Sequence, residues 1–561
     1  MEFAWNIQNT IRSRRSPTYQ SSLWNSCFAR FVTFLFIAPF VPMTAYSADA
    51  LISSAAYLAS QTKPQFATGH HLPHLSRYGY EISSNLCVEL AANWGYALPM
   101  GDGSWVDFKA ALQNTNSRQW AFIRLATNDP SRYVLSVGMN QRLMKPIPDD
   151  FYVTNSSGWF VGAYATNTWQ YATNPAYAKI ISPEGNESYW SNSAEYWVAP
   201  LAAIRSNAPI AIVLNPGEYG LNVFFGGYSQ AWAEDPRVQE SLKRPPWNKY
   251  TGGDGSFSSS WLLWFNYGSF RRAQQYQYTT DAVRRLLPDR ELYIHYDTDG
   301  ESYRSLNIGG TNWASGWHYN SLYTRSLSDY ANFETYYRHF NTGFTGSQDM
   351  LTKYLNAVGG HMTYGSSTNY SWVCGGFTRG TTNDFANIET YTGYLKCCYT
   401  AGMVGAVAGY FSAFTDSAFP SNTPPQWLLQ MTALSHVHAL FSHLEGFIRN
   451  GDLLPGPNMH SASRDQPAYE LPTGDPTARV LSRKLRGSNQ WLVTAWAADG
   501  PDRTVQVQIP NLGTLRYFAT PSASVYYVTL VDGSTRMSLL DEYSPFPFKP
   551  APPSNPKVLP Q

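Results

Sequence analysis

Through most of its length the chain alternates two kinds of apolar pattern. Residues 80–94 carry Ile82, Leu86 and Leu90 at helical spacing and run into a short extended segment at 96–100. Residues 105–126 again read as helix and lead into the β-rich run 133–139. A long stretch rich in Tyr, Trp, Asn and Ser intervenes before a helix at 194–205 and a buried strand, IAIVL, at 210–214. The alternation then continues with helix at 259–287, strand at 292–296, extended chain at 333–340 and helix at 350–358. Strand at 371–377, helix at 388–400, strand at 404–411 and a closing helix at 425–448 complete it. With a first strand expected near 66–70 there are eight strand slots, mostly separated by helices, although none is evident between 297 and 333. Alternating β and α units predict a parallel sheet, and eight of them predict an α/β fold of the (β/α)8 or TIM barrel type over residues 48–455.

Beyond Leu454-Pro-Gly-Pro the period changes. Residues 456–476 read as a linker. Residues 477–545 show short alternating runs (WLVTAWA, TVQVQI, VYYVTLV) separated by Asp-Gly and Asn-Leu-Gly turns, the pattern of a small all-β sandwich. Residues 546–561 are a Pro-rich tail. At the other end, Arg12, Arg14, Arg15 and Arg30 precede the apolar run 31–43, which falls short of the roughly 20 residues that span a bilayer. Small residues follow at Ala45, Ser47, Ala48 and Ala50, so residues 1–47 read as a cleaved signal peptide and the mature chain as secreted or periplasmic, with no stable membrane partner.

Composition narrows the ligand class. Lys plus Arg is 40 against Asp plus Glu at 39, so no net positive field exists to hold nucleic acid. Charged residues are 14%, where about 25% is usual, and aromatics reach 16%. Ring faces that do not stack on bases are left to pack in cores or to stack on the apolar faces of sugars, which makes carbohydrate the expected partner. Oligomeric state has no signature in this pattern. Cys87, Cys374, Cys397 and Cys398 show no CxxC spacing, so neither a metal nor a redox centre is expected, and no cofactor is called for. Buried free thiols are the reading for these four, with a single bridge as the alternative.

In a (β/α)8 barrel, chemistry sits at the carboxyl ends of the strands. The fourth slot runs into Asn215-Pro-Gly-Glu218-Tyr219-Gly, placing Glu218 on a turn at such an end. This Glu-Tyr-Gly after the fourth strand resembles the acid/base motif of retaining glycoside hydrolases of clan A, and most specifically that of the microbial β-galactosidase family within it. The resemblance implies a barrel with an appended β-sandwich, hydrolysis of glycosidic bonds, and Glu218 as general acid/base. Two departures stand out: Pro216 and Gly217 separate Glu218 from Asn215, and the seventh slot carries no carboxylate where that family has its nucleophile.

Glycosidic cleavage needs a second carboxyl. Glu389, at the amino end of the helix after the seventh strand, is the first candidate, since a helix start keeps a carboxylate ionised. Asp297 and Asp299, directly after the fifth strand and beside Glu218 in slot order, are the alternative. Glu334 is expected on the barrel floor as a structural residue. His70 and His71 after the first slot, with His74, and His339 and Asn341 after the sixth, read as partners of sugar hydroxyls, as do Asn215 and Tyr219. His436, His438 and His443, near Glu445, read as a packed or solvated helix face. Trp159, Trp169, Trp190, Trp247, Trp313 and Trp317 lie in Gly-, Asn- and Ser-rich stretches and are candidate sugar platforms, Trp313 and Trp317 foremost. Two rival readings remain: a polysaccharide lyase built on Tyr337, Arg338 and His339, and a barrel that binds carbohydrate without turning it over.

Overall fold

The computed structural model describes residues 74–75, 84–94, 96–100, 112–138, 143–163, 169–171, 178–216, 232–250, 261–287, 292–296, 330, 334–336, 351, 354–355, 358, 368–374, 376–379, 382–385, 388–408, 426–442, 444–454, 470–498 and 500–540. The expected signal peptide and the Pro-rich tail lie outside them.

The chain folds as mixed α/β structure with a sheet-rich C-terminal region. It opens with β1 (His74–Leu75), α1 (Ser84–Trp94), β2 (Leu98–Met100), α2 (Arg118–Asn128) and β3 (Leu135–Gly138). The Ser117 hydroxyl accepts a hydrogen bond from the amide of Trp120 and caps α2, which turns Phe122, Ile123 and Ala126 inward. All four residues of β3 are buried, as expected of a strand covered on both faces. The Tyr- and Trp-rich stretch forms a small antiparallel sheet of β4 (Val161–Ala163), β5 (Trp169–Tyr171) and β6 (Ala178–Lys179). Then come α3 (Glu187–Arg205), β7 (Ile210–Pro216), α4 (Pro236–Leu242), α5 (Trp261–Leu286), β8 (Leu292–Tyr296) and β9 (Glu334–Tyr336). Next are β10 (Asn369–Cys374), a hairpin of β11 (Gly376–Arg379) and β12 (Thr382–Phe385), α6 (Ile388–Thr400), β13 (Met403–Ala408), α7 (Gln426–Ser442) and α8 (Glu445–Asn450).

Two four-stranded parallel sheets organise this region. One has the order β2-β3-β7-β8 and the other β9-β10-β13-β1. Each neighbour pair is consecutive in slot order, and the last parallel strand, β13, pairs with the first, β1. At the open edge between the sheets β1 lies against β2. The described strand is His74–Leu75, with His74 in register with Val407, and the strand expected near 66–70 lies outside the described residues.

The C-terminal region adds β14 (Gly451–Leu454), β15 (Ala478–Leu485), β16 (Gln490–Ala497), β17 (Arg503–Ile509), β18 (Gly513–Ala519), β19 (Ser524–Val531) and β20 (Ser534–Leu539). A five-stranded antiparallel sheet, β14-β15-β16-β19-β20, and the β17-β18 pair enclose a core that includes Val480, Trp491, Val493, Val507, Tyr517 and Val528. The larger sheet takes its first strand from residues 451–454, upstream of the Pro-Gly-Pro that marks the change of period in the sequence.

This sheet covers α6, which is therefore enclosed on both sides and buried from Tyr394 through Thr400. That accounts for the adjacent Cys397 and Cys398, which are free, buried thiols pushed up in pKa chiefly by burial. Cys87 is a third buried free thiol and accepts a hydrogen bond from Arg118 at 2.7 Å. The interface also buries Lys396, whose ammonium donates to the Ala523 carbonyl at 2.8 Å, and joins the hydroxyls of Thr400 and Thr494 at 2.6 Å. Gly393 faces the Trp496 indole, which donates to the Pro521 carbonyl at 2.8 Å; a Cβ there would overlap both the indole and that carbonyl. Gly393→Ala is expected to lower unfolding free energy by about 1–3 kcal/mol through overpacking, read as a fall in denaturant midpoint.

Candidate functional site

The strand register locates the carboxyl ends where chemistry would gather. β7 extends two residues beyond the predicted strand, and its ladder with β8 pairs Asn215 with His295 and Pro216 with Tyr296. Glu218 follows the end of β7 by two residues, and Asp297 follows the end of β8 by one. His295 escaped the sequence reading because it is embedded in the apolar run LYIHY. A polar residue in the last two positions of such a strand was the available signal, and Asn215 carries it too.

The other parallel sheet corrects one expectation. Glu334 is in register with Trp372, which is in register with Val407, itself paired with His74. That row stands two residues below the carboxyl end of β10 and one below that of β13. Glu334 is therefore in the upper part of the sheet and not on its floor. The described part of β9 begins three residues higher than β10, an offset that a linear sequence does not reveal.

Glu389 occupies the first turn of α6 as expected, and its side chain is exposed. It belongs to the helix layer, with the β11-β12 hairpin between it and the end of β10. Glu218, Tyr219, Asp297, Asp299, His70, His71, His339, Asn341, Trp313, Trp317, Tyr337 and Arg338 lie outside the described residues, and of Asn215 the strand position alone is described. His438 is buried, with Nδ1 at 2.7 Å from the Tyr399 hydroxyl, and Glu445 is buried against Arg449, which donates to Tyr330 at 2.9 Å. These two are packing residues of α7 and α8.

A second hydrophobic core stands on the carboxyl-end side of β3 and β7. It is built from residues 143–190, which follow β3, from residues 232–247, which follow β7, and from part of α5, with Phe151, Val153, Val161, Trp190, Trp232, Val238, Trp247 and Tyr267 among its members. Helices that join parallel strands run back antiparallel to them, so α3 and α5 both start at the carboxyl end. Their first halves supply Trp190, Tyr267 and Ala273 to this second core, and their later halves supply Val198, Leu201, Ala282 and Val283 to the main one. Trp190 and Trp247 are thus buried and are not sugar platforms. Trp190 packs on the Phe151 ring and Trp247 on the rings of Tyr267 and Phe270, partners that lie outside the polar stretch each occupies, so neither stretch reveals its burial alone. The side chain of Trp169, on β5, is outside the described residues, and Trp159 is exposed.

Two partly buried ionic clusters fasten this layer. Asp235 caps α4, accepts from the Ser182 hydroxyl at 2.6 Å and pairs with Arg237 at 2.8 Å; Arg237 also donates to the carbonyls of Asp150 and Tyr152. Glu184 pairs with Arg271 and accepts from the Tyr267 hydroxyl at 2.6 Å. Burial, then the Glu184 charge, pushes the Tyr267 phenol well above its ordinary range, and burial with Glu187 pushes Tyr278 up to about 12. Both phenols stay protonated at neutral pH and serve as donors, not as bases.

No family model matches the chain, and no curated protein matches it. Among solved structures it overlaps a noncanonic maltogenic alpha-amylase from Thermotoga neapolitana, with 11% identity and a TM-score of 0.37 over 84% of this chain and 96% of that one. It overlaps a GH36 alpha-galactosidase from Geobacillus stearothermophilus at 10% identity and a TM-score of 0.39, over 81% of this chain and 52% of that one. A beta-galactosidase from the psychrophilic Marinomonas ef1 overlaps at 10% identity and 0.39, over 67% and 60%. The chain thus spans little more than half the length of the two galactosidases. These neighbours act on glycosides by their descriptions, and the overlap with each is loose.

Proposed function

We propose that the chain is a secreted (β/α)8-barrel glycoside hydrolase that cleaves an oligo- or polysaccharide with two carboxyl groups, residues 1–47 being the export signal. Eight parallel strands in slot order, the last paired with the first, support the barrel, since closure asks only that β1 meet β2 and β8 meet β9. The observation that carries the function is the β7–β8 ladder, beyond whose paired ends Glu218, Asp297 and Asp299 follow within three residues. Paired strands stand about 4.8 Å apart. The reading asks of these carboxyls a separation of roughly 5–5.5 Å if the reaction retains configuration and roughly 6.5–9.5 Å if it inverts.

In this reading the Glu218 carboxyl gives its proton to the glycosidic oxygen as the bond to the anomeric carbon breaks. A carboxylate of the Asp297/Asp299 pair attacks that carbon. Water then delivers its hydroxyl to the carbon and its proton to Glu218, which restores both groups. Asn215, Tyr219, His295, His339 and Asn341 are placed by sequence position to meet sugar hydroxyls, with Trp313 and Trp317 as stacking surfaces. Glu389 is retained as the competing second carboxylate.

The test is reducing-end release from a panel of neutral, uronic and sulfated glycans by the mature chain beside Glu218→Gln, with absorbance followed for unsaturated products. Release by the parent and loss in the variant is the expected outcome. Unsaturated product would establish elimination instead, and glycan binding without turnover would establish a binding protein.

A further inference from the structure

Trp159 is the most exposed large apolar side chain among the described residues, at 53% of its full accessibility. It stands at the tip of a hairpin closed by the Thr154–Phe160 bridge. The tip is held firmly. Asn155 Oδ1 accepts from the amides of Ser157 at 3.0 Å and Trp159 at 2.9 Å, the Asn155 amide donates to the Trp159 carbonyl at 2.9 Å, and the Gly158 amide to the Asn155 carbonyl at 2.9 Å. Gly158 adopts φ +79°, a left-handed conformation that favours glycine. The base of the hairpin is anchored by Val153 and Val161, both buried in the second core. An exposed indole on a backbone fixed by four hydrogen bonds has its ordering cost met before any ligand arrives.

The surroundings select the ligand. Between Val153 and Val161 the sequence Thr-Asn-Ser-Ser-Gly-Trp-Phe has no charged residue. The neighbouring Lys179 lies over the Phe160 ring at 3.7 Å and pairs with Asp149 at 3.0 Å. A bilayer surface would be met by several basic and apolar side chains together, and a stable protein interface by a wider apolar patch. One flat ring flanked by hydroxyl and amide groups fits the apolar face and hydroxyl rim of a pyranose.

We propose that Trp159 is a glycan-docking residue that stacks on a sugar ring of a polymer chain and touches no reacting atom. The inference rests on the proposed polysaccharide substrate. It is tested by affinity electrophoresis of the full mature chain through gels containing starch, mixed-linkage β-glucan, xylan or agarose, comparing the parent with Trp159→Ala, Trp159→Phe and Glu218→Gln. Equal thermal midpoints would establish that the tip variants fold. The parent and Glu218→Gln should be retarded by at least one polymer, Trp159→Ala should lose about tenfold in affinity for it, and Trp159→Phe should lose less. Equal retardation of Trp159→Ala and the parent would overturn the proposal. So would a parent that hydrolyses soluble oligosaccharides yet is retarded by none of the polymers, a result that leaves the hydrolase reading standing. A parent that neither binds nor cleaves any sugar sinks both.

Discussion

Replacing Arg483 by methionine is expected to cost about 3–5 kcal/mol of unfolding free energy, the range found when a buried charge network loses a partner. Arg483 projects from β15 and is fully buried. Its guanidinium donates to four carbonyls: Thr400 at 3.1 Å, and Phe447, Ile448 and Gly451 each at 2.9 Å. Thr400 is the last residue of α6, Phe447 and Ile448 are in the last turn of α8, and Gly451 opens β14. These are carbonyls at or just past helix ends that have no partner further along the helix, and they carry the negative pole of the dipole. Burial lowers the pKa of Arg483 to about 10, so it remains charged at pH 7. A methionine fills the volume and leaves the carbonyls dry and unpaired. Arg483→Lys keeps the charge with fewer donors and a different geometry, and should recover only part of the loss. Equilibrium denaturation measures both; a loss below about 1 kcal/mol for the methionine variant would mean that water reaches these carbonyls after all.

The same arginine shows what the sequence reveals and what it conceals. β8 forms at 292–296 and α6 at 388–400, as the periodicity predicts, because each is an apolar run with a local cause. A parallel strand buried on both faces reads as unbroken hydrophobic sequence, and a helix reads through its 3.6-residue spacing. Arg483, in the run ARVLSRKL, looks like an ordinary outward-facing residue of a sandwich strand. Its burial is imposed by α6 and α8, more than 30 residues away. Trp190 and Trp247 fail for the same reason, since the two insertions that enclose them are separate in sequence and make one core only together. Glu334 fails through register: slot order gives the neighbours of β9 but not its vertical offset from β10. Strand ends were legible where they can be counted from an apolar run, as near Asn215, and strand heights were illegible where they depend on how neighbouring strands are offset.

The register also decides which carboxylate substitutions should matter most. At least one of Asp297→Asn and Asp299→Asn is expected to lower kcat on an unactivated glycoside by about 10³-fold or more, comparable to Glu218→Gln, whereas Glu389→Gln should stay within about tenfold of the parent. The reasoning is positional. Both aspartates follow in sequence the end of β8, which is hydrogen-bonded to the strand that leads to Glu218. Glu389 is exposed in the first turn of α6. In sequence the β11-β12 hairpin separates it from the end of β10. Loss of a general acid is felt least with a good leaving group, so an aryl glycoside with an activated phenol should spare Glu218→Gln in bond cleavage and not spare the aspartate variant that lacks its nucleophile. The anomer released first, followed by nuclear magnetic resonance, then separates a retaining reaction from an inverting one. Should Glu389→Gln be inactive while both aspartate variants turn over normally, the second carboxylate would come from α6, and the sheet register would have located the acid without its partner.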